Sequence, residues 1–170
     1  MLVRPATVGD APAIAMVHVA SWQAACRDAL PDPYLDDLAQ TMDRRIDHWA
    51  ATAVAEGEIL EVIESANEIV GFASWGPARD GDHTSWGELR AIYLHPSVFG
   101  RGAGRALHES GVAAMVHAGY RDLLLWVHAA NRRAIDFYSR HGWRPDGGTD
   151  THPIAEMPLP VLRMVRSVGG

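Results

Sequence analysis

The chain has 170 residues, 48% of them apolar and 21% charged, and its formal net charge is −6. This length predicts one domain, residues 1–170, with enough apolar side chains for a substantial core. The acidic balance argues against nonspecific binding to nucleic acid. Because there is a single cysteine, Cys26, an internal disulfide is excluded. No leader peptide and no apolar run of membrane-spanning length is recognised, so we expect a cytoplasmic protein without a membrane partner.

The first third of the sequence predicts a short strand followed by helices. Leu2–Ala6 reads as the strand, and apolar residues at helical spacing predict a helix from Asp10 to about Ala29. Prolines after this helix interrupt the pattern, because proline cannot continue a helix. Two further helical segments are predicted at Tyr34–Leu38 and Asp43–Ala55.

The apolar pattern then changes from a helical period to alternation. Glu58–Glu64 and Glu68–Trp75 are predicted to be strands joined by a hairpin turn at Ala66-Asn67. A polar loop is expected at Gly76–Ser85, and a third strand at Trp86–Leu94. The remaining elements are predicted as a helix at Arg105–Ala118, a strand at Asp122–His128, a helix at Arg132–His141, a strand starting at Trp143, a polar loop at Asp146–Pro153 and a strand at Pro158–Val165.

Three of these later elements carry extra information. Asp122–His128 is apolar almost throughout, which predicts burial on both faces. Asn131 is a candidate N-cap for the following helix. The last strand contains prolines and is therefore expected at a sheet edge. The order of elements predicts an α+β fold, with a mixed twisted sheet of about six to seven strands flanked by about four helices.

A glycine-rich turn joins the third predicted strand to a helix. The strand stops at Pro96, and glycines follow at positions 100, 102 and 104 before the helical pattern begins. The N-terminus of a helix presents free backbone N–H groups and partial positive charge, and glycines let the backbone approach an anion closely. Arg101 and Arg105 lie in the same turn. The sequence therefore predicts a site for a pyrophosphate group.

These residues, with two other blocks, resemble the GNAT superfamily of acetyl-CoA-dependent N-acyltransferases. The acyl-CoA signature of that family is Gln or Arg, two residues, Gly, one residue, then Gly or Ala. Phe99–Gly104 matches both glycine positions and departs at the first, where Phe99 replaces Gln or Arg. The other blocks are Val3, Arg4, Pro5 and Ala6 followed by Asp10, and Asn131, Ala134, Phe137, Tyr138 and Gly142. Three blocks in the right order make the resemblance specific.

The resemblance implies acetyl-CoA as cosubstrate, held between the strands that end at Leu94 and His128. The nine histidines and the single cysteine show no metal-ligand spacing, so no metal is expected. The N–H groups of Arg101 through Ala106 would bind the pyrophosphate, and the Ile92 N–H would polarise the thioester carbonyl. The implied cofactor-binding residues are Ile92, Tyr93, Leu94, Phe99, Gly100, Arg101, Gly102, Ala103, Gly104, Arg105, Asn131 and Phe137.

Two residues are candidates for catalysis. Tyr138 occupies the family position of the general acid that protonates the departing thiolate, although a tyrosine packed under the sheet would give the same pattern. Glu88 lies at the start of the strand that bears Ile92, and some family members have a catalytic carboxylate there. The sequence leaves open whether Glu88 is a base, a binder of the substrate ammonium or an exposed charge. His141 could tune Tyr138 or be a solvated helix-end cation.

The acceptor is expected to be a small-molecule amine or a peptide amine. His18, Trp22 and Trp75 are predicted to contact it, although packing in the core is the commoner role of such aromatic residues. The loop at Asp146–Pro153 is expected to close over the acceptor, and the last strand is a candidate homodimer contact. Four alternatives stay open: a CoA-binding regulatory domain without turnover, a different acyl-CoA donor, a hydroxyl acceptor, and an antibiotic acceptor.

Overall fold

The computed structural model describes residues 1–25, 31–154 and 157–169. This part of the chain contains seven strands and five α-helices. The strands are β1 (Leu2–Pro5), β2 (Ile59–Ser65), β3 (Glu68–Pro77), β4 (Gly87–Leu94), β5 (Asp122–His128), β6 (Arg144–Ile154) and β7 (Met157–Ser167). The helices are α1 (Ala11–Ala25), α2 (Asp32–Asp37), α3 (Met42–Thr52), α4 (Ala103–His117) and α5 (Arg132–Arg140). The predicted end of the first helix near Ala29, and Cys26, lie outside the described residues.

The strands form a mixed sheet in the order β1-β2-β3-β4-β5-β7-β6. β4 and β5 are parallel. The other described pairs are antiparallel: β2 pairs with β1 and with β3, and β7 pairs with β5 and with β6. The predicted α+β class and strand number are confirmed. The two helical segments predicted after the first helix correspond to α2, which has only six residues, and to α3.

The chain divides into two compact units. The first unit comprises residues up to Trp75 together with Ala91–Ala114, and the second comprises Gly76–Arg90 and residues from Met115 onward. Strands β3 and β4 each contribute residues to both units. The single domain stays a prediction.

The core of the first unit lies between the sheet and helices α1 and α3. Val62 and Phe72 are register partners on β2 and β3, and both are fully buried. They belong to one apolar cluster with Ile14 of α1 and Trp49 of α3. The β2–β3 hairpin turns at Ala66 and Asn67, whose φ angles are 51° and 65°. This confirms the predicted turn, because tight hairpins favour such left-handed residues.

The second unit is organised around β5. Leu123, Leu124 and Leu125 are buried, which confirms the predicted burial of this strand on both faces. β5 pairs in parallel with β4, and on its other side antiparallel with β7 over its whole length. Asn131 caps α5 as predicted, because its side chain accepts a 3.1 Å hydrogen bond from the Ala134 N–H.

Two predictions for the C-terminal region are wrong. Asp146–Pro153 is not a polar loop but belongs to β6, which pairs along β7. The last strand is not at an edge, because β7 lies between β5 and β6. Its prolines, Pro158 and Pro160, lie beyond the register with β5, which ends at Val161, so they interrupt no hydrogen bond of that ladder. The homodimer contact predicted for this strand stays untested.

Candidate functional site

The glycine turn of the first unit has the backbone geometry of an open cradle. After a single 3-10 turn at Pro96–Val98, Gly100 and Gly102 adopt φ angles of 74° and 84°, and α4 begins at Ala103. A Cβ added at either glycine would meet no atom within 4 Å. The glycines are thus required by the left-handed backbone, and the space beside them is open to a ligand.

The hydrogen bonds of the turn identify which N–H groups point outward. The Arg101 N–H donates to the Val98 carbonyl at 3.2 Å, and the Ala106 N–H makes the first helical bond, 3.0 Å to the Gly102 carbonyl. Both groups are therefore engaged within the turn. The N–H groups of Ala103, Gly104 and Arg105 precede the first helical bond and have no helical carbonyl partner. The N–H groups available to a pyrophosphate are thus narrowed from the predicted Arg101 through Ala106 to those of Ala103, Gly104 and Arg105.

The two arginines of the turn have exposed side chains. Arg105 pairs with Glu109 one helical turn later, with Nε 2.7 Å from Oε1, and both side chains of this pair are largely exposed. Phe99, which replaces the Gln or Arg of the signature, is half-buried.

The end of β4 precedes this turn. Ile92, Tyr93 and Leu94 are half-buried, and the next residue donates its N–H to the Val70 carbonyl of β3 at 2.8 Å. Within the second unit, the described parallel register of β4 with β5 covers only Gly87–Leu89. The ladder thus ends before β4 enters the first unit.

His18 and Trp22 lie on α1, as predicted from their spacing, in an aromatic cluster. The ring centroids of His18 and Tyr93 are 4.6 Å apart, and those of His18 and Trp22 are 5.9 Å apart. The Arg45 guanidinium contacts His18 Nδ1 at 3.3 Å, so this nitrogen accepts a hydrogen bond. Burial, with the nearby charges of Arg45 and His48, lowers the pKa of His18 to about 3. His18 is therefore a neutral, packed histidine, and its contact with an acceptor stays a prediction.

Trp75, the third residue predicted to contact the acceptor, is more buried than His18 and Trp22. Its side chain is fully buried, and a Cβ at Gly111 of α4 would overlap the indole ring. This placement favours a role in the core of the first unit over the predicted contact with an acceptor.

Glu88 is the most buried carboxylate among the described residues of the second unit, with 4% of the residue exposed. Arg79 holds it through three hydrogen bonds: Nη2 to Oε1 at 2.7 Å, Nε to Oε2 at 3.1 Å and the backbone N–H to Oε2 at 3.0 Å. The exposed-charge interpretation of Glu88 is wrong. Both carboxylate oxygens are engaged by Arg79, which lies in the segment after β3.

Glu88 lines a cavity of about 570 Å³ in the second unit. Other charged or aromatic side chains on its walls are Arg79, Asp80, Trp126, Asp150 and His152. Asp150 lies 3.8 Å from His152, measured from Oδ2 to Nε2. The carboxylates outnumber the single arginine on these walls, so the cavity suits a ligand with a positive charge.

Asp80 is tied to a second arginine, Arg163, with Oδ2 2.7 Å from Nη1. Arg163 also donates from Nε to Asp146 Oδ2 at 2.8 Å. Burial opposes ionisation of both aspartates, but hydrogen bonds from Arg163 and from backbone N–H groups bring each pKa below its usual value. Both carboxylates are therefore ionised at neutral pH.

Tyr138 is nearly buried on α5 and belongs to a small aromatic group of the second unit. Its ring centroid is 5.5 Å from that of Phe137 and 6.1 Å from that of Trp143. His141 lies at the end of the same helix, where its Nδ1 is 2.7 Å from the Phe137 carbonyl oxygen. This contact requires a proton on Nδ1, and the tuning of Tyr138 by His141 stays a prediction.

The sequence reasoning missed most walls of the cavity. Trp126 shares a face of β5 with Leu124, the register partner of Glu88, so strand alternation could have pointed to it. Arg79 and Asp80 lie in the segment Gly76–Ser85, for which the sequence predicts only a polar loop. Asp150 and His152 fell in the loop that is in fact β6.

Neither a metal-ligand cluster nor a membrane-spanning helix is present in the described residues. Over the described residues, no cluster of three or more His, Cys, Asp or Glu side chains is arranged to hold a metal ion. In the same part of the chain, no helix combines the length and apolar character that crossing a membrane requires.

Comparison with known proteins gives consistent matches. The model of the acetyltransferase (GNAT) family matches residues 22–143. The uncharacterized N-acetyltransferase YuaI of Bacillus subtilis is 32% identical over 139 residues, which is 82% of this chain and 78% of that protein. Mycothiol acetyltransferase of Propionibacterium freudenreichii is 33% identical over 85 residues, 50% of this chain. That match spans only 27% of the relative's own length.

Among solved structures, the PaiA N-acetyltransferase from Thermoplasma acidophilum, determined in complex with coenzyme A, aligns with a TM-score of 0.76 at 15% identity. The alignment covers 98% of each chain. A GCN5-related N-acetyltransferase from Rhodopseudomonas palustris aligns with a TM-score of 0.78 at 22% identity, covering 98% of this chain and 95% of that one. These likenesses establish the fold, and the family match and the B. subtilis relative establish kinship. The chain belongs to the GNAT family of acetyltransferases.

Proposed function

We propose that the protein transfers an acetyl group from acetyl-CoA to a primary amine, by direct attack in a ternary complex. The observation that carries this proposal is the glycine turn, in which two glycines with positive φ border open space at the N-terminus of α4. Such a turn is what a family member needs to bind the pyrophosphate of CoA. The PaiA relative in fold, determined with coenzyme A, supports the same assignment.

The donor would be held mainly by backbone groups. The N–H groups of Ala103, Gly104 and Arg105 would bind the pyrophosphate, and the exposed Arg101 guanidinium would add positive charge. The strand end at Ile92, Tyr93 and Leu94 would bind the pantetheine arm, with the Ile92 N–H polarising the thioester carbonyl. Asn131 and Phe137 are proposed contacts of the same arm, by resemblance to the family.

The reaction forms an N–C bond and breaks the C–S bond of the thioester. The amine must lose a proton to attack, and the departing thiolate must gain one. We assign the second proton transfer to Tyr138 and leave the first to Glu88 or to a water that it orders. Arg79 donates two hydrogen bonds to Oε2 of Glu88 and one to Oε1, so Oε1 keeps a lone pair that could take the proton while the ion pair stays in place.

The acceptor is proposed to bind as a cation in the cavity that holds Glu88. Its walls bring together Glu88, Asp80 and Asp150 with the indole of Trp126, a combination that suits an ammonium group. A small-molecule amine or a peptide amine would satisfy this chemistry. The match with the mycothiol acetyltransferase of P. freudenreichii covers only about a quarter of that protein's length. The acceptor of that enzyme is therefore only one candidate among the amines proposed here.

Binding of the donor is tested by thermal unfolding with and without acetyl-CoA. A ligand at about 100 times its dissociation constant stabilises the native state by about 2.7 kcal/mol. For a chain of this size, that corresponds to a rise in Tm of about 5–11 °C. The variant Gly102→Ala should lose this rise, because its Cβ would occupy the space proposed for the pyrophosphate.

Gly119→Ala is the matched control for this measurement. Gly119 also has a positive φ, 96°, with open space beside it, but it follows α4 rather than preceding it. The two variants should therefore share the cost of backbone strain, while only Gly102→Ala loses the response to acetyl-CoA. Equal responses in both variants would remove the turn from the proposal.

Turnover is tested separately by thiol release from acetyl-CoA with 2-phenylethylamine, putrescine and alanine amide as acceptors. Release that depends on the amine supports the transferase. A thermal response without release from any amine would favour the regulatory domain, whereas release with propionyl-CoA but not acetyl-CoA would identify a different donor. Growth of expressing cells on aminoglycosides tests the antibiotic acceptor.

A further inference from the structure

We infer that Arg163 is a positioning residue, which fixes the wall of the Glu88 cavity and thereby sets the affinity for the acceptor. The inference rests on the proposed function, because it takes this cavity as the acceptor site. Arg163 lies on β7 and does not itself line the cavity. Its side chain is only 14% exposed, and every one of its described partners is in the second unit.

Three elements converge on the Arg163 side chain. Its Nη1 is bound to Asp80 Oδ2 at 2.7 Å and lies 3.3 Å from Nδ1 of His83, both in the segment between β3 and β4. Its Nε donates to Asp146 Oδ2 of β6 at 2.8 Å. Its guanidinium carbon lies 5.5 Å from the ring centroid of Trp126, its register partner on β5. One arginine thus connects the β3–β4 segment, β6 and β5.

The backbone of β6 is shaped around this side chain. Pro145 pairs with Met164 and Thr149 with Leu162, so three residues of β6 lie opposite Arg163 alone. Within this bulge the Gly148 N–H donates to Asp146 Oδ1 at 2.9 Å, which leaves Oδ2 for Arg163. A Cβ at Gly148 would lie 2.8 Å from Arg163 Nε. Bulges of this kind re-aim side chains beside functional sites.

The arrangement acts on the cavity through two of its walls. Asp80 and Trp126 line the cavity, and both are held by Arg163. Asp80 directly follows Arg79, which binds Glu88. Because Arg163 pairs with two aspartates, Asp80 and Asp146, its positive charge is more than balanced, and these three side chains add no net positive charge beside the cavity. Removal of the guanidinium leaves two half-buried carboxylates without their common cation and releases the β3–β4 segment.

The test compares Arg163→Met and Arg163→Lys with Arg166→Met as control. Arg166 is on the same strand, but it points to the opposite face of the sheet and has none of these contacts. Hydrogen exchange of the full chain is followed at residues 78–86 and 146–148. Steady-state kinetics are measured with acetyl-CoA and the fastest of the three amines named above.

Arg163→Met is expected to raise exchange in both segments and to raise the KM of the amine at least fivefold, with the KM of acetyl-CoA unchanged. Arg163→Lys should recover part of the amine affinity, since the charge returns without the planar fork. Unchanged exchange, or an amine KM that Arg166→Met raises equally, overturns the inference. If Arg163→Met does not fold, Gly148→Ala provides the same test, because it displaces Arg163 without removing it.

The exchange measurement needs no turnover, so the inference and the proposed function fail in different ways. A wild-type protein that acetylates none of the amines contradicts the proposed acceptor, while exchange still decides whether Arg163 holds the segment. A wild-type protein that acetylates the amine, with an amine KM insensitive to Arg163→Met, contradicts the inference alone.

Discussion

The ion pair between Arg79 and Glu88 joins an exposed cation to a buried anion, and this asymmetry makes a quantitative prediction possible. The Arg79 side chain is 66% exposed, whereas that of Glu88 is 5% exposed. Arg79→Met would leave the Glu88 carboxylate buried with only the backbone N–H of residue 79 as a described donor. We therefore expect Arg79→Met to destabilise the native state through the buried Glu88 carboxylate that loses its guanidinium.

The magnitude follows from two limits. Removing one partner of a fully buried ion pair costs about 3–5 kcal/mol, whereas exposed pairs contribute about 0.2–1 kcal/mol. With one partner exposed, water can reach part of the vacated position, so the expected loss is about 1–3 kcal/mol. This corresponds to a fall in Tm of about 2–4 °C for each kcal/mol. Glu88→Gln removes the buried charge, so adding Arg79→Met to it should cost less than about 1 kcal/mol.

The assay is urea unfolding of the wild type, both single variants and the double variant, without acetyl-CoA. Arg105→Met is the control, because its pair with Glu109 joins two side chains that are 70% and 55% exposed and should contribute little. A stability loss in Arg79→Met no larger than that in Arg105→Met would refute the reasoning. Additive effects in the double variant would do so as well, because coupling is what the three hydrogen bonds imply.

Three further predictions concern His18, Gly111 and Tyr138. Burial lowers the pKa of His18 to about 3, so this neutral histidine stabilises the fold above the unfolded pKa near 6.5, and the contribution is lost as pH falls below it. Unfolding free energies at pH 7.5 and 5.5 should differ by about 1 kcal/mol more in the wild type than in His18→Phe; an equal difference would show that folding does not lower the pKa of His18. Gly111→Ala should lose about 1–3 kcal/mol in urea unfolding, because its Cβ overlaps the buried Trp75 ring, and a near-neutral effect would place Trp75 outside the core. Tyr138→Phe should lower kcat by about 10²-fold or more while the acetyl-CoA thermal response stays, and an unchanged kcat would remove the general-acid role.

Elements specified by nearby residues were predictable from the sequence. The boundaries of β5 match the apolar run at Asp122–His128, and Asn131 caps α5 as its position suggested. The glycine turn was predictable for the same reason, because a positive φ requires glycine at the positions themselves. Only the number of outward N–H groups was overestimated, since the hydrogen bonds of Arg101 and Ala106 depend on how the turn closes.

β6 shows why the rest could not be predicted. Its sequence contains prolines, glycines and aspartates that ordinarily form loops. It becomes a strand because β7 offers a complete edge and because the bulge at Asp146–Gly148 absorbs the residues that do not fit the ladder. The edge belongs to β7, and the bulge is built around Arg163 of that strand, so residues 144–154 alone do not reveal the strand.

The same distinction separates the donor side of the proposed reaction from the acceptor side. A pyrophosphate cradle is made of backbone N–H groups, which every residue carries, so its sequence trace is the short run of glycines that the backbone path requires. The cavity around Glu88 is made of side chains brought together from distant positions, such as Asp80 and Arg163, which are 83 residues apart. A family signature can therefore indicate the class of donor, while the acceptor is encoded in contacts that a single sequence does not display. Substitutions at Arg79, Asp80 or Arg163 should accordingly change which amine reacts, whereas substitutions at the glycines should change whether any amine reacts.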